Sequence, residues 1–314
     1  MLPALLRRTA VFLVSVVVAS VLVFAFMAVL PGDPAEVALG VNASPEAVAE
    51  VRAEFGTDRS KPVQYADWAG GLPVGDFGVS FVTQETIGTQ INERMQVTLI
   101  LVLAAMVVSL AIALPLGTIA AARHKKASGV ALSAASQVGA AVPAFLAGIL
   151  LVAVFSVQLG WFPSSGWTPP DEGFGEFLRQ LILPAISLGL VEGAVLTRYV
   201  RSAVLEVLRE DFLRTARAKG LTPNQALVRH GLRNAAIPVI TVLGLQLSTL
   251  LIGAVVIERV YVIPGLGSLL LDGVSNRDLL LVQGVVMVLV VAVLIVNYVD
   301  DVLYVVVDPR LRRS

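Results

Sequence analysis

Long apolar runs separated by short charged segments dominate this chain, and their lengths predict its elements. A helix that crosses lipid needs about 20 mostly apolar residues, because no water is available there to satisfy backbone groups. Residues 9–30 run for 22 positions without a charge. A signal-peptide core is shorter, about 7–15 residues, and ends at a small-residue cleavage site. This run instead ends in Leu30-Pro31-Gly32-Asp33, which predicts a retained span. A second span is expected within 95–122, between Arg94 and Arg123. Residues 127–170 carry no charge and are too long for one span. The stretch should divide at Gly160-Trp161-Phe162-Pro163, leaving a helix over about 130–157 kinked at Pro143 and then an interfacial aromatic cluster. Residues 180–197, containing the single acid Glu192, and then 234–257 and 279–299 complete six predicted spans. The expected fold is an all-α membrane protein.

Two connecting segments carry signals of their own. In residues 31–94, Ser44-Pro45-Glu46 reads as a helix start with Ser44 as N-cap, and Gly56 as its stop. A second short helix is expected over 62–69, before Gly70-Gly71. The segment suits either a lid or docking surface for an external partner, or a solvated cap on the helix ends. Residues 198–233 are longer than a helix connection needs. There Asp211 is expected to cap a helix over 212–219 that Gly220 ends, and Thr222-Pro223-Asn224-Gln225 supplies a capping box. Phe212, Leu213 and Ala216 form its apolar face; Arg214, Arg217 and Lys219 form a basic one. Such a helix either docks on a protein or lies on anionic lipid.

Charge sharpens the picture. Charged residues are 15% of the chain and mean hydropathy is +0.83, against about 25% charge in soluble domains. The 23 basic and 23 acidic residues cancel, so nothing points to nucleic acid. Their distribution is uneven: with Arg7 and Arg8 inside, the inner segments hold 16 of the Lys and Arg residues and the outer segments seven. That bias predicts both termini in the cytoplasm and residues 31–94 outside. With no cysteine and with His124 and His230 far apart, no metal site is expected. None of the four lysines sits in a Gly-x-x-x-x-Gly-Lys-Ser/Thr loop, and no other catalytic or cofactor motif is present, so no catalytic residue and no cofactor bound by this chain are expected.

Polar residues at membrane depth are costly and usually face protein or water. Glu192, with no base at i±3 or i±4, is a candidate either for lining a polar path across the membrane or for a structural, hydrogen-bonded acid. Gln246 and Asn297 are the other path candidates. Asp300 and Asp301 read as interfacial acids balanced by Arg310, Arg312 or Arg313, and Gly189-x-x-x-Gly193 permits close helix packing.

The run 211–220, Asp-Phe-Leu-Arg-Thr-Ala-Arg-Ala-Lys-Gly, followed by His230-Gly231-Leu232-Arg233-Asn234-Ala235 and Pro238, resembles the cytoplasmic signature of ATP-binding-cassette importer permeases. The general signature is Glu-Ala-Ala, three residues, then Gly; here Arg214-Thr215-Ala216 precedes Gly220, a departure usual in the dipeptide/oligopeptide branch, which also holds nickel and glutathione permeases. Pro31-Gly32-Asp33-Pro34, Pro143-Ala144-Phe145, Leu159-Gly160-Trp161-Phe162-Pro163, Pro264-Gly265-Leu266-Gly267, Asn276-Arg277-Asp278 and Asp308-Pro309-Arg310 resemble further landmarks in order along the chain.

The resemblance implies a type I importer permease in a bacterial cytoplasmic membrane. It divides the chain into 1–94 (first span and extracytoplasmic helical segment), a five-helix core 95–307 with its coupling segment 198–233, and a cytoplasmic tail 308–314. It implies that Asp211, Phe212, Leu213, Arg214, Thr215, Ala216, Arg217, Lys219 and Gly220 form a coupling helix seated in an ATPase cleft. It also implies a second homologous permease, two ATP-binding subunits or domains carrying ATP and Mg, and an extracytoplasmic solute-binding protein. Peptide, nickel, glutathione or another small solute are the cargoes it allows. An ion-driven secondary transporter is the competing class, although no internal repeat supports it.

Overall fold

The computed structural model describes residues 2–29, 34–39, 43–54 and 56–307. Among them the secondary structure is helical apart from one isolated bridge between Val79 and Thr86. In chain order the helices are α1 (Leu2–Val29), α2 (Pro34–Leu39), α3 (Pro45–Glu54), α4 (Lys61–Gly71), α5 (Ile87–Ala122), α6 (Ala127–Ala141) and α7 (Ala144–Leu151). Then come α8 (Phe174–Val207), α9 (Asp211–Ala218), α10 (Pro223–Ala226), α11 (Leu232–Tyr261), α12 (Leu266–Ser275) and α13 (Leu279–Val307). A π-type stretch, Val152–Gln158, follows α7, and another, Leu227–Gly231, joins α10 to α11.

Among the described residues five helices are long and apolar enough to cross a membrane, with α10 and α11 counted as one; the pair α6–α7 makes a sixth span if taken together. That pair corrects one expectation. Residues 130–157 are not a kinked helix but two helices bent by 96°. Pro143 has no N–H to continue α6 and drives its predecessor out of helical geometry. Val142 is accordingly extended (φ −79°, ψ 125°), and Pro143 becomes the N-cap of α7. Other spans overrun the charges that were expected to end them. Helix α5 begins before Glu93 and Arg94, α8 continues through Arg198 and Arg201, and α13 passes Asp300 and Asp301. At 34 residues α8 is about 50 Å long, so it projects beyond a hydrocarbon core of about 30 Å.

The chain forms two compact units. The first comprises Leu99–Ile263 with the chain from Val299 onward, and α8 is its hub. Glycines set how closely helices approach there. A Cβ on Gly189 would lie 2.6 Å from the Ala105 carbonyl oxygen, and one on Gly117 would lie 2.8 Å from that of Thr197. On Gly193 it would press Ile112 at 3.2 Å. The Gly189/Gly193 spacing thus belongs to a tight α5–α8 seam. Below it, Leu196, Val200, Val204 and Val207 of α8 pack with Ala113, Ala235 and Val239, and this apolar cluster continues into Leu213 and Ala216 of α9. At the other end, Tyr261 is buried; its hydroxyl meets Ser187 Oγ at 2.7 Å and donates to the Gly148 carbonyl at 3.2 Å, joining α11, α8 and α7.

The second unit is Leu2–Thr98 with Pro264–Tyr298. Phe24 of α1 meets Tyr65 of α4 edge-on and Trp68 at a tilt (centroids 5.4 and 6.1 Å), and Ser20 hydrogen-bonds Tyr65 at 2.9 Å. The short helices between α1 and α5 start and stop largely as their signals indicate. Ser44 Oγ accepts from the Ala47 N–H at 3.2 Å, Gly56 is left-handed (φ +66°), and α4 runs slightly beyond 62–69 at both ends. Helix α12 had no counterpart in the hydropathy reading, because ten residues cannot span a membrane. It packs Leu266 and Leu269 against Ile87, Ile91, Leu281 and Val285, while Thr98 Oγ1 accepts from the Leu266 N–H at 2.8 Å. The landmark Asn276-Arg277-Asp278 has a structural role. Buried Asp278 caps α13 through the Leu281 N–H (3.2 Å) and accepts a hydrogen bond from Ser80. The landmarks at 31–33 and 308–310, and the tail 308–314 with its arginines, lie outside the described residues.

Candidate functional site

The segment 208–231 is built to hold α9 rigidly. Helix α8 closes in tight turns, Leu208 N–H to Val204 and Glu210 N–H to Val207. Glu210 is then extended (φ −69°, ψ 141°) and is itself the N-cap, with no side-chain cap bond. Asp211 is therefore not the cap but the first helical residue, because the Glu210 carbonyl already accepts from Leu213 at 3.2 Å. Its carboxylate still suits the positive helix start and accepts from Arg214 at 3.3 Å, both side chains being exposed.

The far end of α9 follows its signals closely. Gly220 is left-handed (φ +96°); its N–H bonds to Arg217 O at 3.0 Å and the next N–H, from Leu221, to Ala216 O at 3.4 Å. These are the two bonds of a Schellman stop. The capping box is present in both directions: Gln225 N–H to Thr222 Oγ1 at 3.3 Å, and Thr222 N–H to Gln225 Oε1 at 3.0 Å. Helix α10 then passes through the π-type turn into α11, so the helix that the capping box starts does not stand alone. It is the first turn of a span.

The faces of α9 divide cleanly. Leu213 and Ala216 are buried in the first unit's apolar cluster, whereas Phe212 is 38% exposed. The predicted apolar face is thus split, with Phe212 exposed alongside Arg214, Thr215, Arg217 and Lys219. Arg217 and Lys219 make no ion pair with any described residue. Sequence reasoning gave Gly231 no role, although His230-Gly231 was a quoted landmark. Gly231 is buried where a Cβ would press Leu227 (2.7 Å), Val207 (3.4 Å) and Leu213 (3.5 Å), the junction of α8, α9 and the π-type turn.

Of the path candidates, Glu192 on α8 and Gln246 on α11 meet. The Gln246 amide donates to the Glu192 main-chain oxygen at 3.2 Å, both side chains are buried, and Glu192 Oε2 has no hydrogen-bond partner among the described residues. Asn297 is exposed on α13 in the second unit. Asp300 lies against Gly244, where a Cβ would approach within 2.6 Å of the Asp300 Cβ. Glu258, buried at the end of α11, escaped the sequence reading because it falls just beyond the run that marked the fifth span. Among the described residues no group of three or more His, Cys, Asp or Glu is placed to hold a metal.

Two family profiles together match nearly the whole chain. Residues 113–313 match the binding-protein-dependent transport system inner membrane component, and residues 1–104 match the N-terminal membrane component of the same systems. The chain belongs to this family. It is similar to the di/tripeptide transport system permease DppB of Pseudomonas aeruginosa, 40% identical over 335 residues covering 100% of both chains. It is likewise similar to the oligopeptide transport system permease AppB of Bacillus subtilis (37% identity, 98% of each) and the glutathione transport system permease GsiC of Salmonella choleraesuis (37%, 99% of each). It is therefore a multi-pass permease subunit of an ATP-binding-cassette importer in the bacterial inner membrane. In the permease, α9 is the segment matching the cytoplasmic signature, and its exposed aromatic-basic face is the candidate partner surface.

Proposed function

We infer that this permease forms, with a homologous second permease, the translocation path for di- or oligopeptides delivered by an extracytoplasmic binding protein. ATP and Mg belong to two partner ATPase subunits or domains. The arginine and lysine bias supports both termini and α9 in the cytoplasm, with α2–α4 outside. The peptide assignment rests on similarity to permeases named for di/tripeptides and oligopeptides; glutathione is the second reading, favoured by the permease named for it.

One observation carries the mechanism: α9 shares its buried face with α8 and is tied through the capping box and π-type turn to α11. A push on the exposed Phe212/Arg217/Lys219 face would be delivered to both helices, because tightly packed elements shift as bodies. Those two helices also carry Glu192 and Gln246. Their relative movement would expose or bury this polar pair, a gating element within an alternating-access cycle. The test is peptide uptake into proteoliposomes holding the assembled transporter. Uptake should require ATP, both ATPase subunits and the binding protein; uptake driven by an ion gradient without ATP would overturn the assignment.

A further inference from the structure

The second unit contains a cavity of about 760 Å³ that the coupling mechanism does not use. It lies between the Phe24–Ala28 end of α1, helix α4, the loop 76–84 and the first turns of α13. Its size falls within the range of small-ligand sites, about 300–1,000 Å³. The aromatic cluster of α1 and α4 and the ring of Phe77 give it an apolar wall.

One polar side chain in that wall is unspent. Gln283 lines the cavity, is 7% exposed and makes no hydrogen bond with any described residue, which leaves its carboxamide to whatever fills the cavity. A carboxamide offers N–H and C=O side by side, the complement of a peptide unit.

The charges discriminate between ligands. Four charged residues line the cavity among those described, Arg59 and Lys61 against Asp67 and Asp76. Arg59 already pairs with Asp67 at 2.9 Å, Lys61 donates to Gln64 at 3.2 Å, and Asp76 accepts from the Gly78 N–H at 2.9 Å. A lipid phosphate would want a cluster of free cations, whereas Arg59 is paired with Asp67 and only the Lys61 ammonium, bonded to a neutral carboxamide, is without an acid. A short peptide of no net charge fits a balanced rim, an aromatic wall and a free carboxamide.

We propose that this cavity is a peptide-holding subsite in which Gln283 hydrogen-bonds the main chain of a short peptide before or during transfer. This rests on the peptide-import reading and on its orientation, which puts this end of α1 and α13 outside. The test uses the assembled transporter in lipid vesicles with a photoreactive benzoylphenylalanine replacing Val79 at the cavity wall, and radiolabelled trialanine as probe, without ATP or binding protein. Saturable labelling of this chain, competed by unlabelled trialanine but not by alanine, is expected. Gln283→Leu should weaken it at least about fivefold, the effect of one lost hydrogen bond. Recovery of a lipid adduct in place of peptide, or labelling indifferent to Gln283→Leu, would overturn the proposal. Trialanine uptake is measured on the same vesicles with ATP and binding protein supplied. Absent labelling with persistent uptake sinks the subsite and spares the import reading; absent uptake with saturable labelling does the reverse.

Discussion

At the residue scale, the two ends of the coupling unit make opposite predictions from similar-looking polar residues. Thr222 makes both bonds of a capping box, whereas the Asp211 side chain bonds no backbone N–H. Thr222→Ala should therefore destabilise the unit by about 1 kcal/mol, and Asp211→Ala should cost clearly less. Hydrogen exchange of the 224–231 and 212–218 amides in the purified transporter would read the difference. Glu192 makes a third case. Its Oε2 is buried beside Gln246 without a partner among the described residues, so Glu192→Gln should preserve assembly while altering uptake or cargo preference. Unchanged transport kinetics across several peptides would return Glu192 to a purely structural role. The cap signals at Ser44, Gly56, Gly220 and Thr222 were legible because each acts through its own backbone neighbours. The start at Asp211 was misplaced by one residue because an acid suits either the cap or the first turn.

At the element scale, apolar run length located the spans but not their ends. Charged residues such as Arg94, Arg198 and Asp301 stay helical once a helix leaves the hydrocarbon, since helix propensity does not require burial. Helix α12 and the right-angled break at Pro143 were illegible for a related reason. The first is too short for a hydropathy window, and the size of a bend depends on what α7 packs against rather than on the proline alone. Packing by Gly189 was suggested by spacing, but only its neighbours separate it from the many such spacings in a chain with 26 glycines. Because a Cβ there would meet the rigid Ala105 carbonyl at 2.6 Å, Gly189→Ala should cost about 1–3 kcal/mol as an overpacked seam. A lowered Tm of the detergent-solubilised transporter is the readout. Gly70→Ala, inside α4 where a Cβ meets nothing within 4 Å, is the matched control and should not lower Tm.

For the whole molecule, orientation and coupling are linked, because α9 serves an ATPase only if it lies inside. A cysteine placed at Ser44 should react with an impermeant reagent on intact cells, while one at Asn224 should react only after permeabilisation; external reaction at Asn224 would reverse the topology. The partner surface itself was legible chiefly through resemblance. The amphipathic pattern of 211–220 alone fits a lipid-lying helix equally well, and the structure distinguishes its buried Leu213/Ala216 from its exposed Phe212 without naming what covers the latter. The central claim is that α9 receives the ATPase stroke. It is tested most directly by co-purification of the ATPase subunits and peptide-stimulated ATP hydrolysis, both normalised to permease in the membrane, for Gly220→Val and Arg217→Glu. Valine is strained at φ +96° and should disrupt the helix stop, while the reversed charge alters only the exposed face. Both variants should insert normally yet lose most ATPase capture or stimulation; full capture and full stimulation in both would contradict the account and return α9 to the role of a lipid-facing surface helix.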